Sequence, residues 1–122
     1  MNKLLVIVLL LFSGACSAQT DELEAEGRAC DKGDSLSCFR LGILFNNGAG
    51  VTKNLLSAFE YFEKSCDGGN AVGCLYAGKA YGVGRGVTQS DNQALRFYDL
   101  ACDLELRMGC EEYANLKDAD TR

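Results

Sequence analysis

The chain reads as an all-α protein, an α/α solenoid of helix-pair repeats, on three observations. Six cysteines fall in pairs at 30 and 38, 66 and 74, and 102 and 110, with an offset of 8 within each pair and 36 between pairs. Laying the segment from Cys38 over the segment from Cys74 brings Gly42 onto Gly78, Gly48 onto Gly84, Gly50 onto Gly86, Val51 onto Val87, Ala58 onto Ala94 and Gly73 onto Gly109, without a gap. In the same register aromatic meets aromatic: Phe45 with Tyr81, Tyr61 with Phe97, and Phe62 with Tyr98. A fixed period of this size belongs to stacked units that bury their apolar faces on one another.

The chain begins with a short positive start at Lys3, an apolar run from Leu4 to Phe12, and small residues from Ser13 to Ala18. These are the parts of a secretory signal, so 1–18 is expected to be a signal peptide. The run is too short to cross a bilayer, which takes about 20 residues. Two endings stay open: cleavage after Ala18, giving a free protein from Gln19, or lipidation of Cys16, giving an anchored one. Without Lys3, 11 basic residues face 17 acidic ones, a net charge of −6. That balance, with no basic stripe, repels a phosphate backbone, so nucleic acid is not an expected partner.

Helices follow in order from periodicity. Residues 19–37 form an N-terminal half-repeat, in which Thr20 to Cys30 reads as a second helix alone. Repeat 1 covers 38–73 and repeat 2 covers 74–109; residues 110–122 form a C-terminal half-repeat, with Glu111 to Lys117 starting a first helix. The first helices are expected at Leu36 to Phe45 and Ala71 to Tyr81. Gly48-Ala49-Gly50-Val51 and Gly84-Arg85-Gly86-Val87 turn the chain, since glycine supplies the positive φ that ends a helix. The second helices start after Asn54 and after Ser90 or Asp91, with Ser90 and Gln93 as a capping box. Their apolar faces run through Leu55, Ala58, Phe59, Phe62 and Cys66, and through Ala94, Leu95, Tyr98 and Cys102. Gly42 and Gly78 lie inside helices at a cost of about 1 kcal/mol each against Ala, which points to close helix approach.

The order Leu-Gly, Gly-x-Gly-Val, Ala-x-x-Tyr/Phe-Tyr/Phe, Cys resembles the Sel1-like repeat, a relative of the tetratricopeptide repeat. The cysteine pair eight apart resembles the bacterial cysteine-rich Sel1-like proteins, secreted proteins of which some are described as β-lactamases or penicillin binders. The resemblance covers about Ala29 to Ala114. It departs at Asn46-Asn47 in repeat 1. It departs again in repeat 2, where Leu104-Glu105-Leu106 replaces Gly68-Gly69-Asn70 and leaves the shape of the last turn open.

Each cysteine pair joins the end of a second helix to the start of the next first helix. The expected bridges are Cys30–Cys38, Cys66–Cys74 and Cys102–Cys110, one of the 15 pairings that six cysteines permit. A tight turn between antiparallel helices brings such residues within disulfide range, and an oxidising route suits them. Zinc sites and thiol oxidoreductases use shorter cysteine spacings, which do not occur here. Asp31, Asp67 and Asp103 each follow a cysteine and are expected to shape the turn through a side-chain oxygen.

The chain has no His, which removes imidazole triads and metallo-β-lactamase zinc sites. No Ser-x-x-Lys or Lys-Thr-Gly occurs, so no recognised serine β-lactamase motif is present. Catalytic residues are unknown, and no cofactor or metal is expected. Turnover, if any, would fall to groove carboxylates and tyrosines such as Glu60, Glu63 and Tyr61. Asn46, Asn47, Tyr76, Tyr81 and Arg85 are the candidate groove residues, several because they break the repeat symmetry; Arg85, for one, stands where repeat 1 has Ala49. The expected function is a secreted, periplasmic or extracellular scaffold that binds a protein or a cell-wall-derived ligand. The alternative, implied by the resemblance alone, is weak β-lactam binding or hydrolysis.

Overall fold

The structure, a computed structural model, describes residues 20–122. The expected signal peptide and the lipidation reading of Cys16 lie outside that range. Among the described residues there are six helices and no strand: α1 (20–31), α2 (Ser35–Asn47), α3 (Leu55–Asp67), α4 (Ala71–Val83), α5 (Asp91–Asp103) and α6 (Arg107–Asp120). No helix among them is long and apolar enough to cross a membrane.

Capping chemistry sets the boundaries. Asp34 accepts hydrogen bonds from the Leu36 and Ser37 N–H groups, and Asn70 from those of Val72 and Gly73. Asn54 and Ser90 cap the second helices by accepting from the N–H of Ser57 and Gln93. Gly48 and Gly84 close α2 and α4 in the left-handed conformation, at φ 69° and 70°. The capping box is made only by half. The Ser90 N–H that a Gln93 side chain would take already donates to the Tyr81 carbonyl at 3.0 Å, as Asn54 N–H does to Phe45 at 2.9 Å. Both links are thus fixed by the same backbone bond.

Neighbouring helices pack in sequence, α2 on α3, α3 on α4, α4 on α5 and α5 on α6, which is the quasi-one-dimensional contact pattern of a solenoid. The glycines inside α2 and α4 mark the closest approaches. A Cβ at Gly42 would stand 2.5 Å from the Phe62 ring, and one at Gly78 would stand 2.7 Å from Tyr98. The repeat then reproduces its own aromatic stack: Phe45 on Tyr61 at 5.6 Å, and Tyr81 on Phe97 at 5.7 Å. Phe62, Phe97 and Tyr98 are buried, so the paired aromatics are inter-helix packing.

The three disulfides are Cys30–Cys38, Cys66–Cys74 and Cys102–Cys110, with Cα atoms 4.7, 4.4 and 4.6 Å apart. Each spans a turn held by backbone bonds in matching places: Gly33 N–H to Cys30 O, Gly69 to Cys66 and Glu105 to Cys102, all 2.9 Å. The aspartates expected to shape these turns take no part in those bonds, and Asp31 instead faces Lys64 at 3.9 Å.

The last turn keeps the backbone of the others without their residues. Glu105 sits at φ 65°, where Gly33 and Gly69 sit at 97° and 89°. Leu106 begins α6 with no side-chain cap, where Asp34 and Asn70 supply one. The helix therefore starts at Arg107, four residues before the expected Glu111, on conformation alone. Left-handed backbone costs a residue with a Cβ about 1–2 kcal/mol, and the entropy of glycine gives back about 0.5–1 kcal/mol of that. Glu105→Gly is expected to stabilise the protein by about 0.5–1 kcal/mol, seen as a melting temperature raised by a few degrees. The same turn carries the most accessible bridge. Cys30, Cys38, Cys66 and Cys74 are buried, whereas Cys102 and Cys110 are half-buried. Exposed bridges exchange fastest with a reductant. Limiting reductant followed by alkylation and peptide mapping should label Cys102 and Cys110 first.

Candidate functional site

A groove of about 470 Å³ crosses both repeats. Its floor comes from the second helices, through Ala58, Phe59 and Phe62 of α3 and Tyr98 of α5; its rim comes from the first helices and the link after α4. The floor keeps the repeat: Ala58 corresponds to Ala94 and Phe62 to Tyr98. The rim breaks it. Asn46 stands where repeat 2 has Gly82, and Tyr76, Lys79, Val83 and Arg85 stand where repeat 1 has Arg40, Ile43, Asn47 and Ala49. The solenoid requires what is shared, so the rim residues are the ones that packing leaves free to differ.

Three of the five candidate residues meet here. Asn46 at the end of α2 and Arg85 in the second link, 39 positions apart, are joined by a bond from Arg85 Nε to Asn46 Oδ1 of 3.0 Å. Tyr76 lines the same groove, with its ring against Phe39 and Phe62. Asn47 lies just behind and accepts from Asn46 Nδ2 at 3.0 Å, which fixes the orientation of that amide. Tyr81 stands apart, wedged between Phe59 at 5.1 Å and Phe97 at 5.7 Å as part of the aromatic packing. Two rim residues had not been singled out. They are Lys79, which pairs with Glu112 of α6 at 3.6 Å, and Val83, which is 74% exposed. Both carry the symmetry-breaking signal that drew attention to Arg85.

The titrating groups near the groove do not form a reactive set. Burial pushes the Tyr98 phenol above its ordinary value, and the nearby Glu112 and Asp91 charges add to this, so it stays protonated at neutral pH. Glu63, on α3, is also raised, first by burial and then by Asp67. Among the described residues no group of three or more acidic or cysteine side chains is placed to hold a metal ion. Nothing in this arrangement favours β-lactam hydrolysis.

A larger hollow, of about 1160 Å³, lies between α1 and α2, with Leu23, Phe39, Ile43 and Leu44 in its walls. Two of its charged residues pair, Arg40 Nη1 donating to Glu26 Oε1 at 3.0 Å, while Glu26 Oε2 is buried without a hydrogen-bond partner among the described residues. The Ser37 hydroxyl and then the Arg40 guanidinium hold the Glu26 carboxyl below the usual carboxylate range. A group with a depressed folded pKa contributes stability above its unfolded pKa, and that contribution is lost as pH falls through the folded value. Wild type should therefore lose stability below about pH 4.3, the ordinary value for a glutamate. Glu26→Gln should flatten part of that loss, as checked by urea unfolding along an acid series.

Two helices per 36-residue unit, a glycine link and a disulfide at each turn define a cysteine-stapled helix-pair solenoid. The model of the Sel1 repeat matches residues 35–70 and 71–106, more than half of the chain. The chain belongs to the Sel1 repeat family. No curated protein matches it. Among solved structures it is similar to cysteine rich protein B of Helicobacter pylori, at 29% identity and a TM-score of 0.73, over 75% of this chain and 69% of that one. It also resembles c5321, a protective antigen of uropathogenic Escherichia coli with the same fold, at 24% identity and a TM-score of 0.74 over 77% of this chain. A Sel1 repeat protein of Oxalobacter formigenes aligns at 22% identity and a TM-score of 0.67 over 70% of this chain. The chain spans 20% and 35% of the length of these last two, and both likenesses speak to fold alone.

Proposed function

We infer that this protein is an extracytoplasmic interaction scaffold that seats a protein or another cell-envelope ligand in the groove between its first helices. Sel1 repeats serve protein interaction, and three disulfides in a chain this short belong to an oxidising compartment. The observation that carries the reading is the contrast within the groove, where a floor common to both repeats supports a rim of residues each found in one repeat only. An exposed apolar side chain at Val83, beside an aromatic ring and two cations, offers the mixed chemistry of an interaction surface. A free form and a form anchored at Cys16 are both compatible with this role.

The test is site-directed crosslinking in the native envelope. A photo-reactive phenylalanine replaces Val83 in the groove in one protein, and Leu100, on the exposed side of α5, in another. A discrete adduct from position 83 that position 100 does not give supports the reading. No adduct, or the same adducts from both positions, overturns it.

A further inference from the structure

We propose that the groove takes an extended acidic peptide segment, with an apolar side chain seated beside Val83 and Tyr76 and a carboxylate side chain on Arg85. The proposal rests on the interaction-scaffold reading and names the chemistry of its partner. Its ground is the state of the Arg85 guanidinium. Nε is used by Asn46 at 3.0 Å, and that amide is itself held by Asn47. The fork of terminal N–H groups is left over, and Arg85 forms no ion pair among the described residues. A guanidinium oriented through Nε, with its outer donors unspent, is prepared for two-point binding of a carboxylate.

The second cation of the rim reinforces the choice. Lys79 pairs with Glu112 at 3.6 Å, with Lys79 exposed and Glu112 partly exposed, so the bond is weak and exchangeable. An incoming carboxylate can replace Glu112 at that ammonium. Val83 and the Tyr76 ring line the same groove as the two cations and give it apolar surface for an aliphatic side chain. The chain as a whole is acidic, at −5, so these cations are a local exception. Long-range repulsion does not forbid the complex, because at physiological salt it fades beyond about 8 Å.

The probe is a fluorescent peptide with capped ends and a central Asp-Leu-Glu in a Gly/Ser frame, compared by anisotropy with its uncharged isostere, Asn-Leu-Gln. The oxidised full-length protein should bind the acidic peptide roughly tenfold more tightly, the scale of a charge-assisted pair. Arg85→Gln should abolish that preference, and Lys79→Gln should reduce it. Glu112→Gln should strengthen binding a few-fold, a direction that a merely structural role does not produce. Arg107→Gln, at an exposed cation outside the groove, should change nothing, and circular dichroism of each variant should match wild type. Equal affinity for the two peptides, no binding of the acidic one, or indifference to Arg85→Gln overturns the proposal. If crosslinking from position 83 succeeds while the peptides are not distinguished, the scaffold reading stands and the acidic partner falls.

Discussion

Replacing Cys66 and Cys74 together by alanine is expected to destabilise the protein by about 3–5 kcal/mol, the upper part of the range for native disulfides in small secreted domains. Loop closure alone accounts for about 2–3 kcal/mol of this. The rest comes from where the bridge sits. Both cysteines are buried in the main core, with Cys74 fully inaccessible, so losing the sulfurs also leaves unfilled space between α3 and α4. This is the junction of the two repeats, and a solenoid gains its cooperativity only from nearest neighbours. Since domains of this size are stable by about 5–15 kcal/mol in total, the melting temperature should fall by about 15 °C or more. The same pair of substitutions at Cys102 and Cys110, half-buried and ahead of a single helix, should cost less. Thermal unfolding followed by far-UV circular dichroism, with the two variants side by side, measures the difference.

Gly86→Ala is the single substitution expected to do most damage. Gly86 has φ 79°, and a Cβ there would run into the Leu55 carbonyl oxygen and stand 2.5 Å from its carbon and 3.0 Å from the Leu56 nitrogen. The obstacle is backbone at the start of α3, which cannot rotate away as a side chain can. The conformational term is about 1–2 kcal/mol, and overpacking adds about 1–3 kcal/mol. A loss of about 2–5 kcal/mol is expected in urea unfolding. Gly50 is the built-in control. It occupies the same place in repeat 1 at φ 76°, but has nothing within 4 Å of a Cβ. Gly50→Ala should show the conformational term alone, and the difference between the two variants isolates the contact by which repeat 2 rests on repeat 1.

Most of the fold is legible in the sequence because the period is written twice. Caps at Asn54 and Ser90, left-handed glycines at 48 and 84, and close approaches at Gly42 and Gly78 each follow from a residue whose chemistry allows little else. The last turn is where such reasoning stops short. Glu105 and Leu106 carry neither the glycine nor the cap of their counterparts, and the disulfide with its backbone bonds imposes the turn regardless. Side-chain partnerships across repeats are harder still. Nothing local joins Asn46 to Arg85, because their meeting depends on how one helix pair stacks on the next. The departure of each from the repeat was visible, and the same comparison extended along the whole register would have added Lys79 and Val83. Tyr81 shows the converse: its match with Phe45 in the register was already a sign of packing, and the structure places both in equivalent aromatic stacks.

Sulfur bridges close each inter-repeat turn and hold the helix pairs together beneath the groove. Proteolysis of the purified protein without reductant, with the linked peptides identified by mass spectrometry, tests this directly. The predicted result is three linkages, each within one turn: Cys30 to Cys38, Cys66 to Cys74 and Cys102 to Cys110. Free thiols at these positions, or a linkage from one turn to another, would contradict it.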